Sequence, residues 1–149
     1  MKTINEMEIT FKAISINEGF ARACIAAFCV QANPSVDEIT DIKTAVSEAV
    51  TNAVVHAYPL GDGNITIRVK LYASGVVIEV ADSGVGIDNF DQAREPFYTT
   101  KPNEERSGMG FTVMESFMDS VTLQKNGKNG VLVKMEKIFK NIESNVVGM

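Results

Sequence analysis

The chain has no tryptophan, two cysteines, one histidine and four prolines in 149 residues. Each scarcity excludes something. Cys24 and Cys29 are too few for a disulfide framework, and five apart on one helix they face different ways, so neither a redox pair nor a thiolate metal site is expected. With His56 as the lone histidine, no His-based zinc site or Ser/His/Asp triad can be assembled. No apolar run is long enough to span a bilayer. The start, Met1-Lys2-Thr3-Ile4-Asn5-Glu6, lacks an apolar signal stretch, so a cytoplasmic protein with no membrane contact is expected. Excess positive charge is also missing. A net charge of −5 argues against a direct nucleic-acid surface.

What is present is ordinary globular material, 45% hydrophobic and 22% charged. Its length predicts a single domain over residues 1–149 with one core. Met7, Ile9, Phe11 and Ala13 alternate with polar residues as a half-buried strand. Ser15 and Glu18 suggest a capping box, after which Phe20, Cys24, Ala27 and Phe28 recur at helical spacing. Ser35 and Glu38 suggest another box, opening a helix to about Tyr58 with a core stripe of Ile39, Ile42, Val46, Val50, Ala53 and Ala57.

Ile65, Ile67, Val69 and Leu71 alternate cleanly, and Val76 to Val80 is a more continuous strand. Residues 88–107 show little apolar periodicity and read as a functional or mobile loop. A helix from Gly110 to about Met118 precedes strands Val121–Lys125 and Val131–Lys137, joined by a turn with Asn126-Gly127 and Asn129-Gly130. About five strands and three helices make an α+β two-layer sandwich, helices on one face of the sheet.

Three motifs carry chemistry. Glu48 and Asn52 stand one turn apart on one helix face, away from the stripe of Val46, Val50 and Ala53. Magnesium takes hard oxygen ligands and keeps several waters, so Asn52 plus phosphate oxygens would suffice to hold it, and Glu48 could deprotonate a hydroxyl. Alone, such a pair is more often a solvated face. Asp82-Ser83-Gly84-Val85-Gly86 follows a strand. Asp82 can accept a hydrogen bond from an exocyclic amine such as that of adenine, while Gly84 and Gly86 allow close approach to a ring. Alone, it reads equally as a turn. Gly108-Met109-Gly110 opens a helix whose free N–H groups attract phosphate, and Thr99, Thr100, Lys101 and Arg106 precede it. The arrangement is neither a P-loop nor a dinucleotide fingerprint.

In this order and spacing the chain resembles the gyrase, Hsp90, histidine kinase and MutL superfamily of ATP-binding domains. Within it, Ser47-Glu48-Ala49-Val50-Thr51-Asn52-Ala53-Val54, Glu95-Pro96-Phe97-Tyr98-Thr99-Thr100-Lys101-Pro102 and Glu105-Arg106-Ser107-Gly108-Met109-Gly110-Phe111 resemble the serine-protein-kinase anti-sigma factors of spore-forming bacteria. The resemblance implies a Bergerat-type fold with a mixed sheet and a mobile ATP lid at about 88–107. It implies ATP or ADP and Mg2+ as cofactors. Asn52 matches the metal ligand and Glu48 the general base. Asp82 matches the adenine-binding acid, with Gly84 and Gly86 lining the base. Thr99, Thr100, Lys101 and Arg106 match lid positions, and Gly108, Met109 and Gly110 surround the phosphates.

Asn17-Glu18-Gly19-Phe20-Ala21-Arg22 resembles the family's first helix, where the arginine docks partners. Many relatives carry Gly-Thr in the last strand, the threonine supporting the adenine-binding acid. Here it is Gly130-Val131. The implied partners are a sporulation sigma factor of RNA polymerase, an anti-anti-sigma factor phosphorylated on serine, and a second copy of the chain. Two alternatives stay open: a nucleotide-gated sigma-binding module without significant kinase activity, and an anti-sigma kinase for a general stress sigma factor. A stand-alone ATPase would need further domains, and His56 lies beside the presumed site rather than on a dimerisation helix.

Overall fold

A computed structural model describes residues 2–58, 62–85, 110–127 and 129–140. In chain order these form β1 (Asn5–Lys12), α1 (Ile16–Cys29), α2 (Val36–Asn52), β2 (Asn64–Tyr72), β3 (Gly75–Asp82), α3 (Gly110–Phe117), β4 (Ser120–Asn126) and β5 (Gly130–Ile138). The lid expected at about 88–107 lies outside the described residues.

The five strands form one sheet in the order β1-β2-β3-β5-β4. β2 shows why it folds this way: Ile65, Ile67, Val69 and Leu71 are buried while Arg68 and Lys70 on the other pleat are exposed. The exposed pleat is tied polar to polar. Arg68 Nε donates to Glu8 Oε2 at 2.8 Å across the β1–β2 register, and the Thr10 and Thr66 hydroxyls lie 2.9 Å apart. The three helices cover the opposite face. Ile25, Ile42, Val46, Val50 and Met114 meet Ile65, Ile67, Ile78 and Met135 in one core.

The expected mixed sheet is corrected: among the described residues every neighbouring pair is antiparallel. The excursion between β3 and β4 brings β4 back running the same way as β3. β5 then turns back from β4 and inserts between them, so the parallel strands never touch.

The two expected capping boxes part ways. At α2, Ser35 Oγ accepts from Glu38 N–H at 3.1 Å and Glu38 Oε1 accepts from Ser35 N–H at 2.9 Å, a complete capping box. Glu38 Oε2 also accepts the Lys140 N–H at 2.7 Å, tying the chain beyond β5 to the start of α2. Burial raises the Glu38 pKa, but hydrogen bonds from Ser35 and Lys140 and the Lys137 charge outweigh it and lower it overall.

Ser15, by contrast, makes no side-chain cap, because its backbone is already helical. The α1 stripe is also shifted by one residue. Ala21, Ile25, Ala26 and Cys29 are buried, while Phe20 is 53% exposed and its ring meets Phe11 edge-on, centroids 6.2 Å apart. The small side chains let α1 lie close, and the large ring leans over the edge onto β1. Burial pushes the Cys29 thiol up to about 12, which makes it a core spacer rather than a nucleophile.

Candidate functional site

The site grows from the end of α2. This helix is flanked by α1 and α3, so its sides are covered as well as its base. Ala45, Ala49 and Asn52 are therefore buried beside the expected stripe, in which Ile39 is only half-buried. Of the two readings of the Glu48–Asn52 face, solvent or a ligand cleft, open solvent does not hold for Asn52: only 9% of it is exposed, because α3 closes over that flank. A Cβ at Gly110, the first residue of α3, would lie 2.6 Å from Asn52 Nδ2 and 2.9 Å from Oδ1. Only glycine leaves room for the carboxamide there. Asn52 Nδ2 is buried with no hydrogen-bond partner among the described residues. A buried amide left unpaired is costly, so its presence points to a ligand that completes it. Rotating the amide by half a turn presents its oxygen instead. Glu48, one turn earlier on the same flank, is half-buried.

Beyond Asn52 the helix does not continue regularly to Tyr58. Ala53–Ala57 winds as a π-helical turn, a widening often found at functional sites. It turns the Ala57 carbonyl toward the second motif, where it accepts the Val85 N–H at 2.9 Å. Gly84 lies flat against Ala57, whose carbonyl oxygen a Cβ would strike. This is the close approach for which Gly84 is needed.

Asp82 ends β3 as a buried acid, 7% exposed. Its Oδ1 accepts the Gly84 N–H at 3.0 Å and the Val131 N–H at 3.2 Å. Burial pushes its pKa up, and those two amide hydrogen bonds oppose the shift. With Oδ1 doubly engaged, Oδ2 is the oxygen left to accept a further donor. The departure at Val131 thus has a structural answer: its backbone N–H supports the acid, which any residue at that position other than proline supplies. Gly130 beside it abuts the Asp82 carbonyl so closely that a Cβ would collide.

The fold therefore gathers Glu48, Asn52, Asp82, Gly84 and Gly110 around the C-terminal end of α2 and the adjoining end of β3. The first-turn N–H groups of α3 start at Asn52, and no acid occupies that turn, an arrangement suited to phosphate. Gly86, Thr99, Thr100, Lys101, Arg106, Gly108 and Met109 lie outside the described residues. Arg22 stands on exposed α1, with Nη1 3.4 Å from Glu18 Oε2 and 3.5 Å from Ser47 Oγ, the residue before Glu48. Sequence reasoning missed Ala57, Tyr58, Asn126 and the Val131 amide. Three of these act at least partly through backbone or as turn residues, which no motif records.

A family model for the histidine kinase-like ATPase domain matches residues 15–137. The anti-sigma F factor of Priestia megaterium is 49% identical over 139 residues, covering 92% of this chain and 95% of the relative. That of Bacillus licheniformis is 51% identical over 134 residues, covering 89% and 92%. The chain belongs to the anti-sigma F factor family. Within that family the described geometry is that of its ATPase-type domain. In shape the chain is similar to the RsbU and RsbW domains of Rv1364c from Mycobacterium tuberculosis, with TM-score 0.63 and 19% identity over 90% of this chain and 32% of that one. It is also similar to the catalytic domain of the histidine kinase ThkA, with TM-score 0.56 and 17% identity over 89% and 97%. These two likenesses speak for the fold alone. No helix among the described residues is long and apolar enough to cross a membrane.

Proposed function

We propose that this chain is a cytoplasmic serine/threonine-protein kinase and anti-sigma factor, which sequesters a sporulation sigma factor and uses Mg-ATP to phosphorylate a serine of an anti-anti-sigma factor. The observation that carries the reading is the orphaned, buried Asn52 carboxamide against Gly110, with Asp82 held one oxygen free at the neighbouring strand end. Asp82 Oδ2 would accept the adenine amine, and Gly84 would let the ring approach. Asn52 would hold Mg2+, which neutralises phosphate charge as transfer proceeds. Thr99, Thr100, Lys101, Arg106, Gly108 and Met109 would complete the phosphate end, and Gly86 the base end.

In the transfer step Glu48 takes the proton of the serine hydroxyl. The serine oxygen bonds to the γ-phosphorus, the bond to the β–γ bridging oxygen breaks, and ADP leaves. Homodimerisation belongs to the same reading. Ile16 and Phe20 on α1, 79% and 53% exposed, are apolar surface that a second copy would cover.

The test is a phosphotransfer assay with the full chain, magnesium, γ-labelled ATP and the matching anti-anti-sigma protein. Label should appear on a partner serine. Bound ATP without transfer would leave a nucleotide-gated sigma-binding module in its place.

Arg22 is expected to serve partner docking rather than nucleotide binding, since among the described residues its exposed guanidinium is held by only the long contacts to Glu18 and Ser47. Arg22→Ala should weaken partner binding by roughly tenfold or more, as loss of an interface arginine does, with ATP affinity unchanged. Titration calorimetry against each ligand measures both, and equal partner affinities would remove Arg22 from the interface.

A further inference from the structure

The peptide plane between Asp82 and Ser83 is gripped at both ends. Its carbonyl, Asp82 O, accepts from Asn126 Nδ2 at 2.7 Å, from the end of β4. Its amide, Ser83 N–H, donates to the Tyr58 hydroxyl at 2.7 Å, from the end of the π-helical turn. Tyr58 is itself anchored, because its hydroxyl donates to Asn64 O at 2.7 Å. Its ring lies flat on Gly63, where a Cβ would strike it. With this plane held, the direction in which the Asp82 Cα–Cβ bond leaves the chain is held with it, and the Gly84 and Val131 N–H groups then hold the carboxylate at Oδ1. We infer that Tyr58 and Asn126 are positioning residues for the adenine-binding acid: by clamping the Asp82–Ser83 peptide from opposite sides they aim Asp82 Oδ2 at the exocyclic amine.

This rests on the adenine-site reading above. Both residues bond the Asp82–Ser83 peptide rather than the carboxylate, so their effect on the acid travels through that peptide. The cost in stability of losing the Tyr58 hydroxyl is small. Ser83 and Asn64 are exposed, so water replaces the lost hydroxyl.

The experiment compares ADP with purine riboside diphosphate, which carries hydrogen where adenine has its amine and keeps N1 unprotonated. The ratio of their dissociation constants isolates the Asp82–amine contact, while the shared phosphates cancel. Wild-type chain should prefer ADP by about tenfold or more, the usual worth of a hydrogen bond to a charged group. Tyr58→Phe keeps the ring and should shift the melting temperature by only about 2–4 °C. In it, and independently in Asn126→Ala, the preference should fall several-fold toward one. In an Asp82→Ala background, which has no side chain to reach the amine, neither substitution should change the ratio further. A purely structural loosening would weaken both nucleotides alike. Preference retained in a folded variant overturns the role of that residue. A wild-type chain with no preference would instead overturn the adenine-site reading, and this inference with it.

Discussion

Replacing Glu48 by Gln is expected to slow phosphate transfer to the partner serine by about 10²–10⁴-fold, the usual contribution of a positioned general base. ATP affinity should stay within about twofold, because the substitution keeps shape and removes only basicity. Glu48 shares a helix flank with Asn52 and is half-buried, so if Asn52 holds Mg2+ as proposed, Glu48 would border the phosphate end of the site. A carboxamide cannot take a proton at neutral pH, whereas a glutamate can. Single-turnover transfer measured beside ADP titrations separates the chemical step from binding. Loss of both together would make Glu48 a binding residue. Unchanged transfer would remove it from the reaction.

Asp82→Asn is expected to lower ATP and ADP affinity by about 100-fold or more, since a site built for one hydrogen bond rejects a mismatched group strongly. The substituted carboxamide keeps an Oδ1 to accept from Gly84 and Val131, so the loop holds its shape. Its Nδ2 then faces the adenine amine, donor against donor. The same change should raise the melting temperature of the nucleotide-free chain at neutral pH.

The sign follows from burial, which pushes the folded Asp82 pKa above its unfolded value. The folded state then binds the proton more tightly than the unfolded one. Ionised Asp82 therefore costs stability above the folded pKa, and this is regained as pH falls through it toward the unfolded value. The advantage of Asp82→Asn should accordingly shrink on acidification. Melting curves across that pH range, with and without ADP, check both halves. A substituted chain that still binds ADP normally would remove Asp82 from base recognition. A less stable one would mean that the Asp82 charge is supported in the folded chain. Such opposition between stability and binding is what a functional buried acid produces.

Much of the scaffold was legible along the chain. Strict alternation at Ile65, Ile67, Val69 and Leu71 could only be a one-sided strand, since period two leaves each residue one face. Ser35 and Glu38 satisfy each other locally, so their box needs nothing distant. Ser15 and Glu18 have the same letters and fail, because the backbone at Ser15 is helical and no cap forms. Phe20 misled for a related reason. Hydrophobicity places a ring near apolar surface but does not say whether the close-packed side will have room for it, and here Ala21 took that place.

The sequence by itself determined the elements, the family and the i, i+4 pairing of Glu48 with Asn52, because these depend on residue identity and spacing within one segment. Only the tertiary structure decided that α3 closes over Asn52, that β5 separates β3 from β4, that the π-helical turn brings Ala57 and Tyr58 onto the loop after the acid, and that a valine can support Asp82. The physical reason is common to all four. Periodicity fixes a residue's direction from its own axis, not what will pack against it. Backbone C=O groups are present in every residue and N–H groups in all but proline, so which of them bind is settled by the fold alone.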